Sequence, residues 1–226
     1  MYKNLSTLRE DERRTTRKGK KDFNVELGFL EASSELFLKT FEVLSNEHYK
    51  RFTNSKDATC RISYRLFRIL RCASSCSLEG YYDVSIALLR IAYENHLLMK
   101  YLSENENEAK LWFEGKRFAP KLIRKNVSYS SNSLYQSMSE FIHSSFKSTL
   151  AFTEVETDKT KAVLGEYKKG RFQEVLYLTL MTAATTLIWL SLIFAQELMQ
   201  DEEWHSIFKD VVPTMWKHIK KTQKED

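Results

Sequence analysis

Long stretches free of glycine and proline constrain this chain more than any other feature. Its six Gly (Gly19, Gly28, Gly80, Gly115, Gly165, Gly170) and two Pro (Pro120, Pro213) leave the intervals Gly28 to Gly80, Gly80 to Gly115 and Gly170 to Pro213 without the turn signals that sheets and hairpins use. Leu, Glu, Lys and Ala are frequent there, and apolar residues recur three and four apart. This pattern predicts an all-α helical bundle. With 226 residues, 42% hydrophobic and 13% aromatic, the chain has enough apolar surface for a substantial core.

The most apolar stretch, Val175 to Ala195, holds 21 residues without a charge. Its length would cross a bilayer, and basic Lys168, Lys169 and Arg171 on one side with acidic Asp201, Glu202 and Glu203 on the other would orient it. Thr179, Thr182, Thr185, Thr186 and Ser191 make it only modestly hydrophobic, and the central helix of a bundle is apolar all round for the same reason. The reading adopted is a buried core helix, with a membrane span as the alternative. From Glu203 to Lys221 a terminal amphipathic helix carries Trp204, Ile207, Phe208, Val211, Trp216 and Ile219, bent near Pro213.

Upstream, Phe23 to Phe52 reads as a first helix, broken by Asn54 to Asp57. A second, from about Ala58 to Glu79, sets Ile62, Leu66, Ile69, Leu70 and Ala73 on one side and Arg61, Arg65, Arg68 and Arg71 on another. That arginine stripe suits either RNA or solvent. Gly80 separates this helix from Tyr81 to Leu102. Glu104 to Glu108 reads as an acidic connection, Ala109 to Ala119 as a further segment that Pro120 limits, and Asn126 to Ser133 as a loop. Leu134 to Phe152 reads as a helix, and Thr153 to Lys169 as a charged loop with a helical turn.

The net charge of +5 is concentrated at one end, since residues 1–22 carry +4 and the rest only +1. Arg13, Arg14, Arg17, Lys18, Lys20 and Lys21 fall in RRTTRKGKK, which has no acid and no large apolar side chain. We read 1–22 as a flexible basic arm able to neutralise nucleic-acid phosphates, and 23–226 as a single all-α domain. Three cysteines, an odd number, fit thiols kept reduced in the cytosol. Cys72 and Cys76 share a helix face but have no second ligand pair at zinc spacing, so neither metal nor cofactor is expected.

Candidate chemistry lies on the helix from Tyr81 to Leu102. Arg90 and Glu94 are one turn apart and face alike, whereas His96 stands about 120° away around an ideal helix. On the helix from Leu134, Tyr135, Ser139 and His143 recur every four residues. Packed against Arg90 and Glu94, His143 would complete a cluster in which the carboxylate orients the imidazole and raises its pKa. The same groups would equally serve as a buried polar knot holding two helices in register. No Gly-x-Ser-x-Gly elbow, phosphate-cradling Gly-rich loop, His-Glu-x-x-His pair or dinucleotide fingerprint occurs, which sets aside the corresponding enzyme classes.

Through LLRIAYENHLLMKYL and LYQSMSEFIH the chain resembles uncharacterised bacterial helical proteins with an Arg-x-x-x-Glu helix and a Tyr-x-x-x-Ser-x-x-x-His helix. These are similar to the HEPN superfamily (higher eukaryotes and prokaryotes nucleotide-binding domains). The resemblance covers roughly residues 79–150. It implies a HEPN-like bundle, often dimeric, in toxin, antiphage or RNA-processing systems, and metal-independent RNA cleavage. An Arg followed at short spacing by a His is the motif of active members, and Arg90 and His96, with five residues between them, satisfy it. Ile91 departs from that pattern, which usually has a polar residue there, and turns attention from His96 to His143. The expectation is a cytosolic, dimeric endoribonuclease effector that binds RNA and a protein partner of its defence or toxin–antitoxin system. The candidate catalytic set is Arg90, Glu94, His96, Ser139 and His143. The alternatives are a non-catalytic helical adaptor in a nucleic-acid-associated complex and a membrane-associated effector.

Overall fold

A computed structural model describes residues 5–45, 52–127, 138, 153–156, 159–162 and 166–222. Helices dominate: α1 Leu5–Asp22, α2 Asn24–Val43, α3 Asn54–Leu78, α4 Tyr82–Ser103, α5 Glu106–Phe113 and α6 Pro120–Asn126 precede a hairpin of β1 Thr153–Glu156 and β2 Lys159–Ala162. After it come α7 Lys169–Ile193, α8 Ala195–Leu198 and α9 Glu202–Thr222. The body is all-α, as the scarcity of turn residues requires. Contacts divide the chain into two compact units, one from Met1–Leu27, Ile69–Ile91 and Asn132–Thr179, the other from Gly28–Arg68, Ala92–Ser131 and Leu180–Asp226. Residues 23–226, expected as one domain, are shared between both.

In the first unit, Phe23, Leu70, Ala73, Tyr82, Ile86, Leu89, Phe172, Val175 and Leu176 are buried. Gly80, at φ 92°, ends α3 in the left-handed conformation that costs glycine least. The Tyr81 N–H reaches the Cys76 carbonyl at 2.9 Å and the Gly80 N–H the Ser77 carbonyl at 3.1 Å, the paired bonds of a Schellman motif. That turn starts α4, where the Ser85 hydroxyl donates to the Ala73 carbonyl at 2.9 Å and fastens α4 to α3.

The second unit is built on Leu36, Phe37, Leu66, Met99, Leu102, Leu187, Leu190, Phe194 and Trp204, all essentially sealed from solvent. Its polar joints are buried but bonded: Trp204 Nε1 donates to Thr40 Oγ1 at 2.8 Å, and Thr40 donates onward to the Leu36 carbonyl at 2.7 Å. Asp201 Oδ1 accepts the Trp204 N–H at 2.8 Å and caps α9. Pro213 lies inside α9 on its exposed side.

Four sequence expectations need correction. Residues 5–22 are helix α1, not a flexible arm. The helix is anchored through small residues: Thr15 and Gly19 are buried, and a Cβ at Gly19 would come within 3.2 Å of Phe172 Cζ. Thr16 donates to the Leu78 carbonyl at 3.0 Å, and the Tyr81 hydroxyl donates to Glu12. Second, Asn54 to Asp57 opens α3 rather than breaking a helix. The Glu106 carboxylate accepts the backbone N–H groups of Asn54 and Ser55, both at 2.9 Å, and so satisfies a helix start. Third, within the acidic run at 104–108, Glu106 and Glu108 form the first turn of α5, where acids complement the helix dipole; a turn with Gly115 at φ 93° follows the helix. Fourth, the loop read over 153–169 contains β1 and β2, whose antiparallel register sets Glu154 opposite Lys161 and Glu156 opposite Lys159. β-Branched Thr153, Val155 and Thr160 favour that extended backbone without any Gly or Pro signal.

Among the described residues, α7 alone is long and apolar enough to cross a membrane, and half of its apolar stretch is buried. Its second-unit part makes polar contacts with α4, described next.

Candidate functional site

The basic residues singled out at the N-terminus all lie on one surface of α1. Arg13, Arg14, Arg17, Lys18, Lys20 and Lys21 are exposed, while Thr15 and Gly19 are buried. At about 100° per residue, the six cations fill a continuous arc of about 160°, and the buried pair falls outside it. Arg9, also exposed, extends the arc one turn toward the N-terminus. The face is not purely cationic. Asp11 accepts from Arg14 at 2.7 Å, an exposed pair that solvent screens strongly, and Glu10 lies among the basic groups near the start. Beyond Arg14 the arc to Lys21 holds no acid, and Lys20 and Lys21 complement the C-terminal end of the helix dipole. At the same end Lys18 lies 5.9 Å from the Tyr167 ring centroid, and Tyr167 donates to Asp22 at 2.7 Å. Burial, then that Asp22 bond, push the Tyr167 phenol above its ordinary pKa, so it remains a donor. Chemically, the face offers a row of cations to a polyanion.

The α4 residues divide. Arg90 and Glu94 are half-buried, with Arg90 Nε and Glu94 Oε1 buried. His96 is only 3% exposed, inside the second unit. Its Nδ1 is 3.0 Å from Thr186 Oγ1 on α7. The same Thr186 hydroxyl lies 2.7 Å from the Thr182 carbonyl, so it links the imidazole to the α7 backbone. Burial lowers the His96 pKa to about 4, which keeps the ring neutral at pH 7. In the continuous helix α4 the six-residue spacing turns His96 about 120° from Arg90, and the imidazole is sealed in the core of the second unit. Ser139 and His143 lie outside the described residues, as does Tyr135; of their segment Met138 is described, helical and buried.

Glu94 has a further neighbourhood that the sequence did not indicate. With Leu97 it lines a crevice of about 10 Å³ shared with Pro120, Ile123 and Arg124 of α6. That is room for about one water, far below the roughly 300–1,000 Å³ of ordinary ligand pockets. Arg124 stands at the end of α6, which Pro120 opens at the position where a missing N–H costs nothing. One turn beyond His96, buried Lys100 pairs with Glu104 and lies 3.6 Å from the Trp189 ring centroid of α7, a second polar fastening of α4 to α7. Burial raises the Cys60 thiol to about 11 and raises Cys76 as well, which makes both poor nucleophiles at neutral pH.

No protein-family model, no curated protein and no solved structure matches the chain. Among the described residues, the fold and surface define a predominantly helical protein with a basic helix face.

Proposed function

We propose that this protein is an RNA-binding helical effector, HEPN-like, that cleaves RNA without a metal ion. The observation that carries the reading is the basic arc of α1, on which Arg13, Arg14, Arg17, Lys18, Lys20 and Lys21 are exposed on one helix surface. A row of fixed cations is preorganised for a phosphate backbone, and its binding gains from counterion release. Arg90 stabilises the charge that develops on the phosphorane-like transition state, and Glu94 orients the acid/base histidine. That role falls to His143, on the segment with Ser139, because His96 is buried and neutral. A histidine removes the ribose 2′-hydroxyl proton, the 2′-oxygen attacks the adjacent phosphorus, and the 5′-oxygen leaves with a proton returned to it. The same reading makes the protein a cytosolic dimer acting with a partner in a toxin or antiphage system.

The test is incubation of purified protein with single-stranded RNA in EDTA. Cleavage is expected, and Arg90→Ala and His143→Ala are expected to abolish it without lowering the melting temperature. Persistent inactivity on transfer, messenger and short RNAs would refute the catalytic part. A second reading, a non-catalytic adaptor, is favoured by the His96–Thr186 bond, because it gives one motif residue a structural role. Under that reading Arg90→Ala lowers thermal stability and no cleavage is observed.

A further inference from the structure

The arginine stripe of α3 is a separate feature from α1. Within the second unit, Arg61, Tyr64, Arg65 and Arg68 are all exposed. Helix geometry places them in an arc of about 100° along about 10 Å of axis. From Ala58 to Leu78 the helix contains four arginines, no lysine and no acid. Arg61 has Asp57 at 2.8 Å, at the start of the helix, whereas among the described residues Arg65 and Arg68 have no ion pair or hydrogen bond. Like charges three and four apart destabilise a helix, and on this face Asp57 offsets Arg61 alone.

An aromatic surface lies among these cations. Tyr64 is 51% exposed, yet its ring is held edge-on against Phe41 at 5.3 Å, an angle of 72°. Arg61 lies over Phe113, 5.6 Å from a ring that is itself 40% exposed. Guanidinium groups bind phosphate bidentately and stack on planar rings, which ammonium groups do less well. An exposed, fixed aromatic ring at the edge of the arginine row matches an unpaired base, because a duplex buries the base faces.

We propose that Tyr64, with Arg61, Arg65 and Arg68, forms a single-stranded RNA site on α3, in which Tyr64 stacks a base and the arginines hold the flanking phosphates. The choice of RNA as ligand rests on the function proposed above; the site itself is independent of α1. It takes several nucleotides without reading their sequence, since every base has a face to stack.

The test is fluorescence anisotropy of the full chain with a short fluorescent oligouridylate, 2′-O-methylated so that it cannot be cleaved, across a salt series. Tyr64→Leu is expected to weaken binding roughly 5- to 150-fold, with the slope of log affinity against log salt unchanged. Tyr64→Phe is expected to bind as wild type. The double variant Arg65→Ala/Arg68→Ala is expected to flatten the slope by about 1.4, at about 0.7 per phosphate contact. Duplex RNA of equal length is expected to be indifferent to Tyr64→Leu. Melting curves matching wild type establish that Tyr64→Leu is folded. If the α3 variants bind as wild type while Arg13→Ala/Arg17→Ala/Lys21→Ala loses binding, the α3 site is refuted and the α1 reading stands. The reverse result supports the α3 site and refutes the α1 interface.

Discussion

Replacing His96 with glutamine tests how the second unit is held together. In the native protein His96 is buried and hydrogen-bonded to Thr186, with its pKa lowered from 6.5 to about 4; in the unfolded chain it titrates near 6.5. Between those values the unfolded state binds a proton that the native state refuses, so stability falls as pH falls. The contribution is fully present above pH 6.5 and declines toward pH 4. Each pH unit in that window costs about 1.4 kcal/mol, so the wild type loses about 2 kcal/mol from this group between pH 7 and pH 5. His96→Gln replaces the imidazole with a polar amide that does not titrate. Urea unfolding at both pH values, followed by far-ultraviolet circular dichroism, is the assay. The fall in unfolding free energy from pH 7 to pH 5 should be about 2 kcal/mol smaller in the variant, a difference of roughly 1 M in midpoint for an m-value near 2 kcal/mol/M. An equal fall in both proteins would refute the argument that His96 is buried and neutral.

Other perturbations address the joints of the fold. Glu106→Ala removes the acceptor for the first N–H groups of α3 and should destabilise the protein by about 0.5–2 kcal/mol in thermal unfolding, as loss of a helix cap does. Burial pulls the Glu106 carboxyl up, but the bonds from Ser55 and Asn54 outweigh it and bring it to about 2. Its contribution is therefore present above pH 4.5, is lost as pH falls toward 2, and is absent in Glu106→Gln at any pH. Gly80→Ala, at φ 92°, should cost about 1–2 kcal/mol in the same assay, whereas Gly28→Ala, with nothing within 4 Å of the new Cβ, should be neutral or mildly stabilising.

Helical periodicity made the body legible because α2, α3, α4, α7 and α9 bury large apolar residues at the spacing that defines them. Gly80 was equally plain, since one residue both permits the left-handed turn and closes α3. α1 was not legible. Its buried contacts are Thr15 and Gly19, and the bulk that fills the interface comes from Phe172 in a distant segment, so no apolar stripe marks the helix. The start of α3 was hidden for a similar reason, as the cap it needs is supplied by Glu106, more than fifty residues away. β1 and β2 escaped because Thr and Val alternate with charges that read as a solvated loop.

The candidate site shows the same division between local and distant information. The surface position of Arg13, Arg17 and Lys21 on α1 follows from helical spacing once the helix is known. The fate of His96 depended on Thr186, ninety residues away, and no local pattern on α4 indicates that partner. What the motif did contain was the angle: six residues on a helix separate Arg90 and His96 by about 120°, which already weighed against a joint role.

The central claim is that α1 binds RNA through its phosphates, and the salt dependence of binding by Arg13→Ala/Arg17→Ala/Lys21→Ala tests it most directly. Measured on single-stranded RNA in EDTA, the variant should bind more weakly, with a slope of log affinity against log salt about 2 flatter than wild type, at about 0.7 for each of three lost contacts. Wild-type affinity and an unchanged slope in a folded variant would contradict it.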